Sequence, residues 1–243
     1  MKTDPIIVIG RGNSGTRAIA ETLKRSGVYM GRSIRDGSYD TMPPLGMYEA
    51  ARIVGRHVKA IAPNQWDFDT LLYQLPPDDF IQAVSTYLVQ AGLGPDNEYL
   101  HKGPWPWGWK LPETLLAFPW IARLFPNARY IHWTRNPFDT LRGEHMTDDL
   151  TLWNVRLFAN NWSERKALSW IYQQEIVKAH MKTAWAPNRF ISVRFEDFCA
   201  DQQGTLDRLG EFLGFPLARI VVKPASDKPR FEFPASIARR YGY

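Results

Sequence analysis

The sequence predicts an α/β protein of three layers, in which helices cover both faces of a central parallel sheet. Short apolar runs bounded by turn residues are typical of buried parallel strands, and the amphipathic stretches between them predict helices. Strands that alternate with helices indicate a parallel sheet, because each crossover places a helix on one face of the sheet. Since the 243 residues contain no repeat and no low-complexity linker, we expect one domain over residues 1–243.

The strands and helices can be placed in chain order from these patterns. Ile6–Ile9 is predicted as a buried strand that stops at Gly10, and Arg129–Thr134 and Arg189–Phe195 repeat the pattern. A fourth short strand is predicted at Trp107–Lys110. The predicted helices are Thr16–Arg25 (closed by Gly27), Met47–Val58, Asp78–Ala91, Glu113–Phe125 (with a break at Pro119), Trp153–Lys182 and Thr205–Leu213.

Composition and charge exclude several classes of protein. The chain is 44% hydrophobic and 23% charged, as folded globular chains are, and no apolar run reaches the roughly 18 residues that span a bilayer. The net charge of +5 suits an anionic ligand, but Lys and Arg form no long block, so we expect no nucleic-acid partner. With Cys199 as the single cysteine and the histidines scattered, we expect no disulfide and no metal site. These features favour a cytoplasmic protein.

A strand, a glycine-rich turn and a helix start follow one another at residues 6–17. The backbone N–H groups of such a turn and the positive end of the helix dipole are directed at an anion. Gly10 and Gly15 have the separation found in nucleotide-binding P-loops, but Thr16-Arg17 stands where those loops need Lys-Ser/Thr. The pattern therefore predicts a P-loop-like fold whose anion site lacks the lysine of nucleoside triphosphatases.

The predicted strand at residues 129–134 is followed directly by Arg135. Open α/β sheets bind ligands at the carboxyl ends of their strands, and Arg can hold a phosphate through two hydrogen bonds. A Mg²⁺-binding strand would end in Asp instead. Arg135 is therefore predicted to bind a second phosphate at the same edge as the glycine-rich turn, with a structural ion pair as the alternative.

Four motifs of this chain occur together in one order. They are Asn13-Ser14-Gly15-Thr16 after a strand, Trp109-Lys110-Leu111-Pro112, Arg135-Asn136-Pro137, and Val193-Arg194-Phe195-Glu196-Asp197-Phe198. In these motifs the chain resembles the sulfotransferases that use 3′-phosphoadenosine 5′-phosphosulfate (PAPS). The stretch Gly15-Thr16-Arg17-Ala18 looks most like the heparan-type and bacterial carbohydrate sulfotransferases.

The resemblance implies transfer of a sulfuryl group from PAPS to a hydroxyl, with adenosine 3′,5′-diphosphate as the second product. It implies that Arg135 binds the 3′-phosphate, that Phe195 contacts the adenine and that Lys110 lies beside the transferring group. Arg17 is expected to act both in binding and in catalysis. The nucleotide-binding residues that it implies in the glycine-rich turn are Arg11, Gly12, Asn13, Ser14, Gly15, Thr16 and Arg17.

Two positions depart from the family pattern. Asn13 stands where the family usually has Lys or Arg, and either Arg11 or Arg17 could supply the missing cation. Gly143 stands where the family commonly has a Ser. Loss of that hydroxyl weakens the case for binding of the 3′-phosphate at Gly143, for which neighbouring Arg142 could compensate.

The acceptor hydroxyl needs a general base, for which the sequence offers several candidates. Many cytosolic family members use a His at the position that Lys110 occupies here. Carbohydrate and protein-tyrosine members use a Glu in the segment after the first helix, where this chain has Asp36, Asp40 and Glu49. Glu49 is favoured because a carboxylate flanked by apolar residues near a helix start can face the cleft. Asp40 is second, and a solvated helix Glu is the alternative.

The sequence thus predicts a PAPS-dependent sulfotransferase that acts on a hydroxyl of a glycan or small metabolite. Residues 28–105 and 144–188 are expected to form the acceptor side. Two other hypotheses stay open. One is a P-loop-type nucleotide kinase or NTPase, which the missing lysine disfavours. The other is a non-catalytic nucleotide-binding module, which Asn13 and Gly143 allow.

Overall fold

Eight strands and ten α-helices make up the part of the chain that the computed structural model describes, which is residues 4–94, 97, 105–182, 187–222 and 229–243. The strands are β1 (Ile6–Ile9), β2 (Ser33–Ile34), β3 (Thr41–Met42), β4 (Lys59–Ala62), β5 (Gln65–Asp67), β6 (Gly108–Lys110), β7 (Arg129–Thr134) and β8 (Phe190–Arg194). The helices are α1 (Thr16–Arg25), α2 (Leu45–Arg56), α3 (Asp69–Tyr73), α4 (Asp78–Gln90), α5 (Phe118–Leu124), α6 (Pro137–Thr140), α7 (Trp162–Met181), α8 (Phe195–Ala200), α9 (Gln202–Leu213) and α10 (Ala235–Arg240). Short 3₁₀ turns lie at Pro112–Leu115, Met146–Asp148, Leu150–Trp153 and Pro187–Arg189.

The central sheet has four parallel strands in the order β6-β1-β7-β8. In the register of this sheet Val8 lies opposite Lys110, and Thr134 lies opposite Arg194. Because all four strands run the same way, their carboxyl ends meet at one edge. The segments that follow β1, β7 and β8 therefore converge there with the end of β6 itself.

Each face of the sheet has its own hydrophobic core. Successive side chains of a strand point to opposite faces, and in β1 this separates Ile7 and Ile9 from Ile6 and Val8. The first pair packs with α2, α4 and α5, and the second pair packs with α1 and α9. All four residues of β1 are buried, as expected for a central parallel strand. The predicted three-layer α/β/α fold with a central parallel sheet is confirmed.

Several predicted element ends differ from the structure for local reasons. The long helix begins at Trp162 rather than at Trp153, because the Asn161 side chain accepts a hydrogen bond from the Glu164 N–H and caps the helix there. The predicted helix at 113–125 is a 3₁₀ turn followed by α5. Pro119 lies in the first turn of α5, where a proline costs no hydrogen bond, so it does not break the helix.

Two small antiparallel pairs lie outside the central sheet, β2 with β3 and β4 with β5. The turn between β2 and β3 is closed by backbone hydrogen bonds between Arg35 and Asp40 and between Tyr39 and Arg35. The Lys110 N–H donates to the Thr41 hydroxyl at 3.3 Å, which attaches this hairpin to the end of β6. Among the described residues, no helix has both the length and the apolar character that crossing a membrane requires.

Candidate active site

A cavity of about 460 Å³ opens at the edge where the strands of the central sheet end. Cavities of this size accommodate small ligands such as nucleotides. Its lining brings together turns after β1 and β7, the end of β6, the start of α8 and the β2–β3 hairpin. The lining includes Gly12, Asn13, Gly15, Thr16, Arg17, Ser38, Asp40, Lys110, Pro112, Arg135, Arg142, Gly143, His145 and Phe195.

The glycine-rich turn presents the N-terminus of α1 to this cavity. Gly15 caps the helix with a φ of 85° and without a side-chain cap, so the first N–H groups of α1 have no capping partner. Thr16 and Arg17 begin the helix and line the cavity. A Cβ atom on Gly15 would lie 2.7 Å from the Phe195 ring, so this position accepts only glycine. The turn therefore has the form of an anion-binding site.

The side chains of Arg11 and Ser14 point into the protein rather than into the cavity. The Ser14 hydroxyl and N–H both donate to the Arg11 carbonyl, at 2.5 and 3.2 Å. The Arg11 guanidinium forms a buried ion pair with Asp148 and donates to the Gly12 carbonyl at 3.0 Å. Burial lowers the pKa of Arg11, and the charge of Asp148 opposes that effect. Arg11 therefore does not replace the cation missing at Asn13, which leaves Arg17 as the candidate.

Arg135 and Phe195 form one stack above the glycine-rich turn. The Arg135 guanidinium carbon lies 4.8 Å from the centroid of the Phe195 ring, a cation–π distance. The Arg135 Nη1 donates to the Asn13 carbonyl at 3.4 Å, and the Phe195 ring packs against Gly15. The prediction had Phe195 as the end of a strand, but it is the first residue of α8. The stack places a cation and an aromatic ring together on the cavity wall.

Asn13 and Gly143, the two residues that depart from the family pattern, contact each other. A Cβ atom on Gly143 would lie 2.9 Å from the Asn13 side-chain nitrogen. That nitrogen donates to the Glu144 carbonyl at 3.3 Å, and Asn13 has a φ of 64°. A larger residue at 143 would displace the Asn13 side chain, so the two positions are structurally coupled.

A buried ion pair between Lys110 and Asp40 lines the same cavity as the glycine-rich turn. Lys110 ends β6 and is 2% exposed, and its Nζ donates to the Asp40 carboxylate and, at 2.6 Å, to the Ser38 carbonyl. The other Asp40 oxygen accepts the Ser38 hydroxyl at 2.7 Å. Burial lowers the pKa of Lys110, whereas the Asp40 charge raises it. A cation and a carboxylate are thus held at fixed positions in one wall.

Of the three carboxylates considered as the base, Asp40 lines the cavity and Asp36 and Glu49 do not. The expectation that Glu49 faces the cleft is wrong. The side chain of Glu49 is 46% exposed and pairs with Arg52 and Arg56 on the surface of α2. The apolar residues that flank Glu49 in the sequence occupy the buried face of that helix, which turns Glu49 toward solvent.

His145 lines this cavity although the motifs did not indicate it, and Glu113, which does not line the cavity, lies beside His145. Glu113 is 2% exposed, burial raises its pKa to about 7, and its Oε1 lies 4.0 Å from the His145 Nε2. Glu113 directly follows Pro112 in a 3₁₀ turn, so its place next to the Trp109-Lys110-Leu111-Pro112 motif was the available signal. His145 comes from the loop after Gly143, which has no pattern of its own.

The fold and the cavity define a protein of the P-loop-like α/β class with an anion site next to a buried lysine–aspartate pair. The model of the sulfotransferase family matches residues 5–219, so the chain belongs to the sulfotransferase family. The resemblance found in the motifs is thereby confirmed at the level of the family.

Two solved structures are similar to this chain. One is the sulfotransferase domain from the curacin biosynthetic pathway, with 15% identity, a TM-score of 0.51 and coverage of 89% of this chain and 76% of that one. The other is a sulfotransferase from Alicyclobacillus acidocaldarius, with 16% identity, a TM-score of 0.49 and coverage of 91% and 87%. No curated protein matches the chain.

Proposed function

We propose that this protein transfers a sulfuryl group from PAPS to a hydroxyl of a glycan or small metabolite. The observation that carries the proposal is that the Lys110–Asp40 pair shares one cavity with the anion-binding turn and with the Arg135–Phe195 stack. Sulfuryl transfer needs a cationic site for the donor and a base for the acceptor within reach of each other. This cavity brings both together.

The donor side of the cavity has the groups that a nucleotide with two phosphate sites requires. We assign the first N–H groups of α1 and the Arg17 side chain to the 5′-phosphosulfate. We assign Arg135 to the 3′-phosphate, with Arg142 close by, and the Phe195 ring to the adenine. The absence of a Cβ on Gly15 lets the Phe195 ring pack directly on the turn.

The acceptor side supplies the base and a charge-stabilising group. Catalysis of such a transfer is mainly positioning and charge stabilisation along an in-line path, by analogy with phosphoryl transfer. We assign Asp40 as the base, because its carboxylate lines the cavity and is oriented by the Ser38 hydroxyl. We assign Lys110 to the oxygens on which charge develops. Ser38 and Asp40 lie in the predicted acceptor segment 28–105, parts of which fall outside the described residues, and His145 lies in segment 144–188.

Two other functions have less support from the site. A nucleotide kinase or NTPase would need a lysine in the turn and an acidic end to the strand, where this chain has Thr16 and Arg135. A non-catalytic nucleotide-binding module would not need the Lys110–Asp40 pair in its cavity wall. A buried ion pair costs desolvation, so its place beside the anion site favours an enzyme.

Calorimetry with three nucleotides tests the donor assignment. We expect adenosine 3′,5′-diphosphate to bind more tightly than ATP or adenosine 5′-phosphosulfate, because it alone carries the 3′-phosphate assigned to Arg135. We also expect PAPS turnover to be unaffected by EDTA. If ATP bound most tightly, or if turnover required Mg²⁺, the kinase hypothesis would replace this one.

The Arg135→Ala variant tests whether Arg135 binds the 3′-phosphate or is a structural residue. A forked, charge-assisted contact contributes about 2–3 kcal/mol, so adenosine 3′,5′-diphosphate should bind roughly 30- to 150-fold more weakly. Adenosine 5′-phosphosulfate should hardly respond, and Arg208→Ala, a change on the exposed face of α9, should alter neither. Equal losses for both nucleotides would make Arg135 a structural residue.

A further inference from the structure

His145 stands in the wall of the cavity between the glycine-rich turn and Glu113. Its ring packs on Gly12 so closely that a Cβ atom there would lie 2.2 Å from the ring carbon. The His145 side chain keeps 23% of its surface exposed, and it lines the cavity together with Lys110. The ring is therefore fixed against the glycine-rich turn in the cavity that the Lys110–Asp40 pair also lines.

Hydrogen bonds determine which nitrogen of the His145 ring carries the proton. The Thr147 backbone N–H donates to Nδ1 at 3.2 Å, and the Thr147 hydroxyl lies 3.0 Å from the same atom. A backbone N–H cannot accept a hydrogen bond, so Nδ1 must present its lone pair and the neutral ring carries its proton on Nε2. The His145 N–H donates to Asp148 at 2.9 Å and holds the backbone in place.

The surroundings keep this ring neutral. Burial is the largest effect, and it lowers the pKa of His145 to about 4 together with the charges of Arg11, Lys110 and Arg35, whereas Asp40 raises it. The carboxylate that faces Nε2 is Glu113, at 4.0 Å, which is too long for a hydrogen bond. Among the residues that the structure describes, Nε2–H has no hydrogen-bond acceptor within reach.

We propose that the Nε2–H of His145 donates a hydrogen bond to a sulfuryl oxygen of the donor during transfer. This inference rests on the proposed function. In the step the acceptor oxygen bonds to sulfur while the bond from sulfur to the 5′-phosphate oxygen breaks. The acceptor proton passes to Asp40, and the electron pair leaves with adenosine 3′,5′-diphosphate. His145 neither gains nor loses a proton, so it is a neutral catalytic donor opposite the charged donor Lys110.

This role differs from that of a histidine base. A base needs a nitrogen with an available lone pair, whereas here Nδ1 is occupied by Thr147 and Nε2 is protonated. A neutral donor stabilises negative charge on the sulfuryl oxygens without releasing a proton to the leaving group. The arrangement of Thr147, Asp148 and Gly12 around the ring supplies the fixed geometry that such a donor needs.

The first test is spectroscopic and needs no turnover. Proton–nitrogen correlation spectra of protein with ¹⁵N-labelled histidine, loaded with adenosine 3′,5′-diphosphate, report the tautomer of each ring. His145→Gln assigns the His145 signals by their loss. We expect the neutral Nε2–H tautomer from about pH 6 to about pH 8. A ring protonated on Nδ1, or a charged ring in this range, would overturn the proposal.

The second test separates a donor from a structural residue. Turnover of PAPS is followed as release of adenosine 3′,5′-diphosphate, with phenol as the probe acceptor. His145→Ala should lower kcat about 100-fold, as loss of one transition-state donor does, with nucleotide affinity changed less than about threefold. His145→Gln, which keeps an N–H donor, should recover part of the loss and leave the pH profile unchanged. His57→Gln, at a ring that packs on Trp120 and does not line the cavity, is the matched control.

The outcomes distinguish this inference from the proposed function. If the wild-type protein binds adenosine 3′,5′-diphosphate and turns over PAPS but His145→Ala keeps kcat within about threefold, only the donor role is wrong. A parallel loss of kcat, nucleotide affinity and Tm would make His145 a structural residue. Disappearance of one limb of the pH profile in His145→Gln would make it a base. Failure of the wild type to bind the nucleotide would contradict the proposed function itself.

Discussion

The two sides of the cavity are built in different ways. The side that we assign to the donor consists of residues that directly follow parallel strands, with the glycine-rich turn after β1, Arg135 after β7 and Phe195 after β8. The side that we assign to the acceptor takes Asp40 from a hairpin turn and His145 from a loop, and joins them to Lys110. Strand ends of a parallel sheet meet by topology alone, whereas the acceptor side depends on tertiary contacts.

The two sides also differ in charge. The donor side carries Arg17 and Arg135, which suits a ligand with several negative charges. The proposed acceptor side carries the Asp40 carboxylate, and Lys110 lies at the boundary between the sides. The arginines carry the charge of the proposed donor side, whereas the cationic partner of Asp40 is Lys110, and this contrast fits a donor site beside an acceptor site. The comparison leads to four predictions.

The largest effect is expected at Asp40. Asp40→Asn removes the proposed base and keeps the shape of the side chain, and kcat for PAPS with the phenol probe should fall about 10²- to 10⁴-fold. Affinity for adenosine 3′,5′-diphosphate, measured by calorimetry, should stay within about threefold, because the change lies on the acceptor side. Glu49→Gln, a carboxylate on the same segment that faces solvent, should leave kcat unchanged. If Glu49→Gln abolished turnover and Asp40→Asn did not, the assignment of the base would be reversed.

Lys110 tests the boundary between the two sides. If it stabilises charge on the transferring group, Lys110→Ala should lower kcat about 10²- to 10³-fold with little change in nucleotide affinity. As for Asp40, kcat is measured with PAPS and the phenol probe, and affinity for adenosine 3′,5′-diphosphate is measured by calorimetry. A tenfold loss of affinity with kcat intact would assign Lys110 to the donor side as a binding contact. Because Lys110 also holds Asp40, Lys110→Arg is the control that keeps the charge.

The contrast between the sides explains how much the sequence could predict. The parallel sheet, α1 and the positions of Arg17 and Arg135 follow from local patterns, because strand period and turn residues are properties of a short window. Phe195 came from the family resemblance, and it begins α8 instead of ending a strand. The expectation that Arg11 could supply the missing cation is wrong for a reason that no short stretch of sequence contains. Its partner Asp148 lies 137 residues further on, and that ion pair turns the guanidinium away from the cavity.

The acceptor side could be predicted only in part. Asp40 was among the candidates, but the choice between it and Glu49 depends on which face of α2 is buried and on where the β2–β3 hairpin attaches. Glu49 has apolar neighbours in sequence, yet those neighbours fill the core and leave it on the surface. His145 obtains its environment from Gly12 and Glu113, both distant in sequence.

Glu113 should make stability depend on pH. Burial raises its pKa from 4.5 to about 7, so between these values the folded protein binds a proton that the unfolded chain releases. The contribution of Glu113 is therefore fully present below about pH 4.5 and is lost as the pH rises through 7. Glu113→Gln removes this dependence. As the pH rises from 5 to 8, the difference in unfolding free energy between variant and wild type should shift by on the order of 2 kcal/mol in favour of the variant. Urea unfolding at several pH values measures it.

The difference in unfolding free energy between the wild type and Glu113→Gln separates the effect of Glu113 from the effects of the histidines. Burial lowers the pKa of His132, of His145 and of His180 to about 4, so their contributions change in the opposite direction, increasing as the pH rises from about 4 to 6.5. These contributions are common to wild type and variant and cancel. Glu49→Gln, at an exposed carboxylate, should give a difference that does not vary with pH. A constant difference for Glu113→Gln as well would mean that Glu113 is ionised in the folded protein.

The smallest effect is expected on the donor side, at the contact between Gly143 and Asn13. Gly143→Ser places a Cβ atom 2.9 Å from the Asn13 side-chain nitrogen, which must move and give up its hydrogen bond to Glu144. A displaced side chain and one lost hydrogen bond cost about 1 kcal/mol, so adenosine 3′,5′-diphosphate should bind about fivefold more weakly. Asn13→Ala removes the obstacle, and in that background Gly143→Ser should cost nothing or improve affinity through its hydroxyl. Calorimetry on the two single variants and the double variant gives the coupling, which should exceed about 0.5 kcal/mol for residues in contact. If the losses of affinity were additive, the two departures from the family pattern would act independently. The effect of each position on nucleotide binding would then need its own explanation.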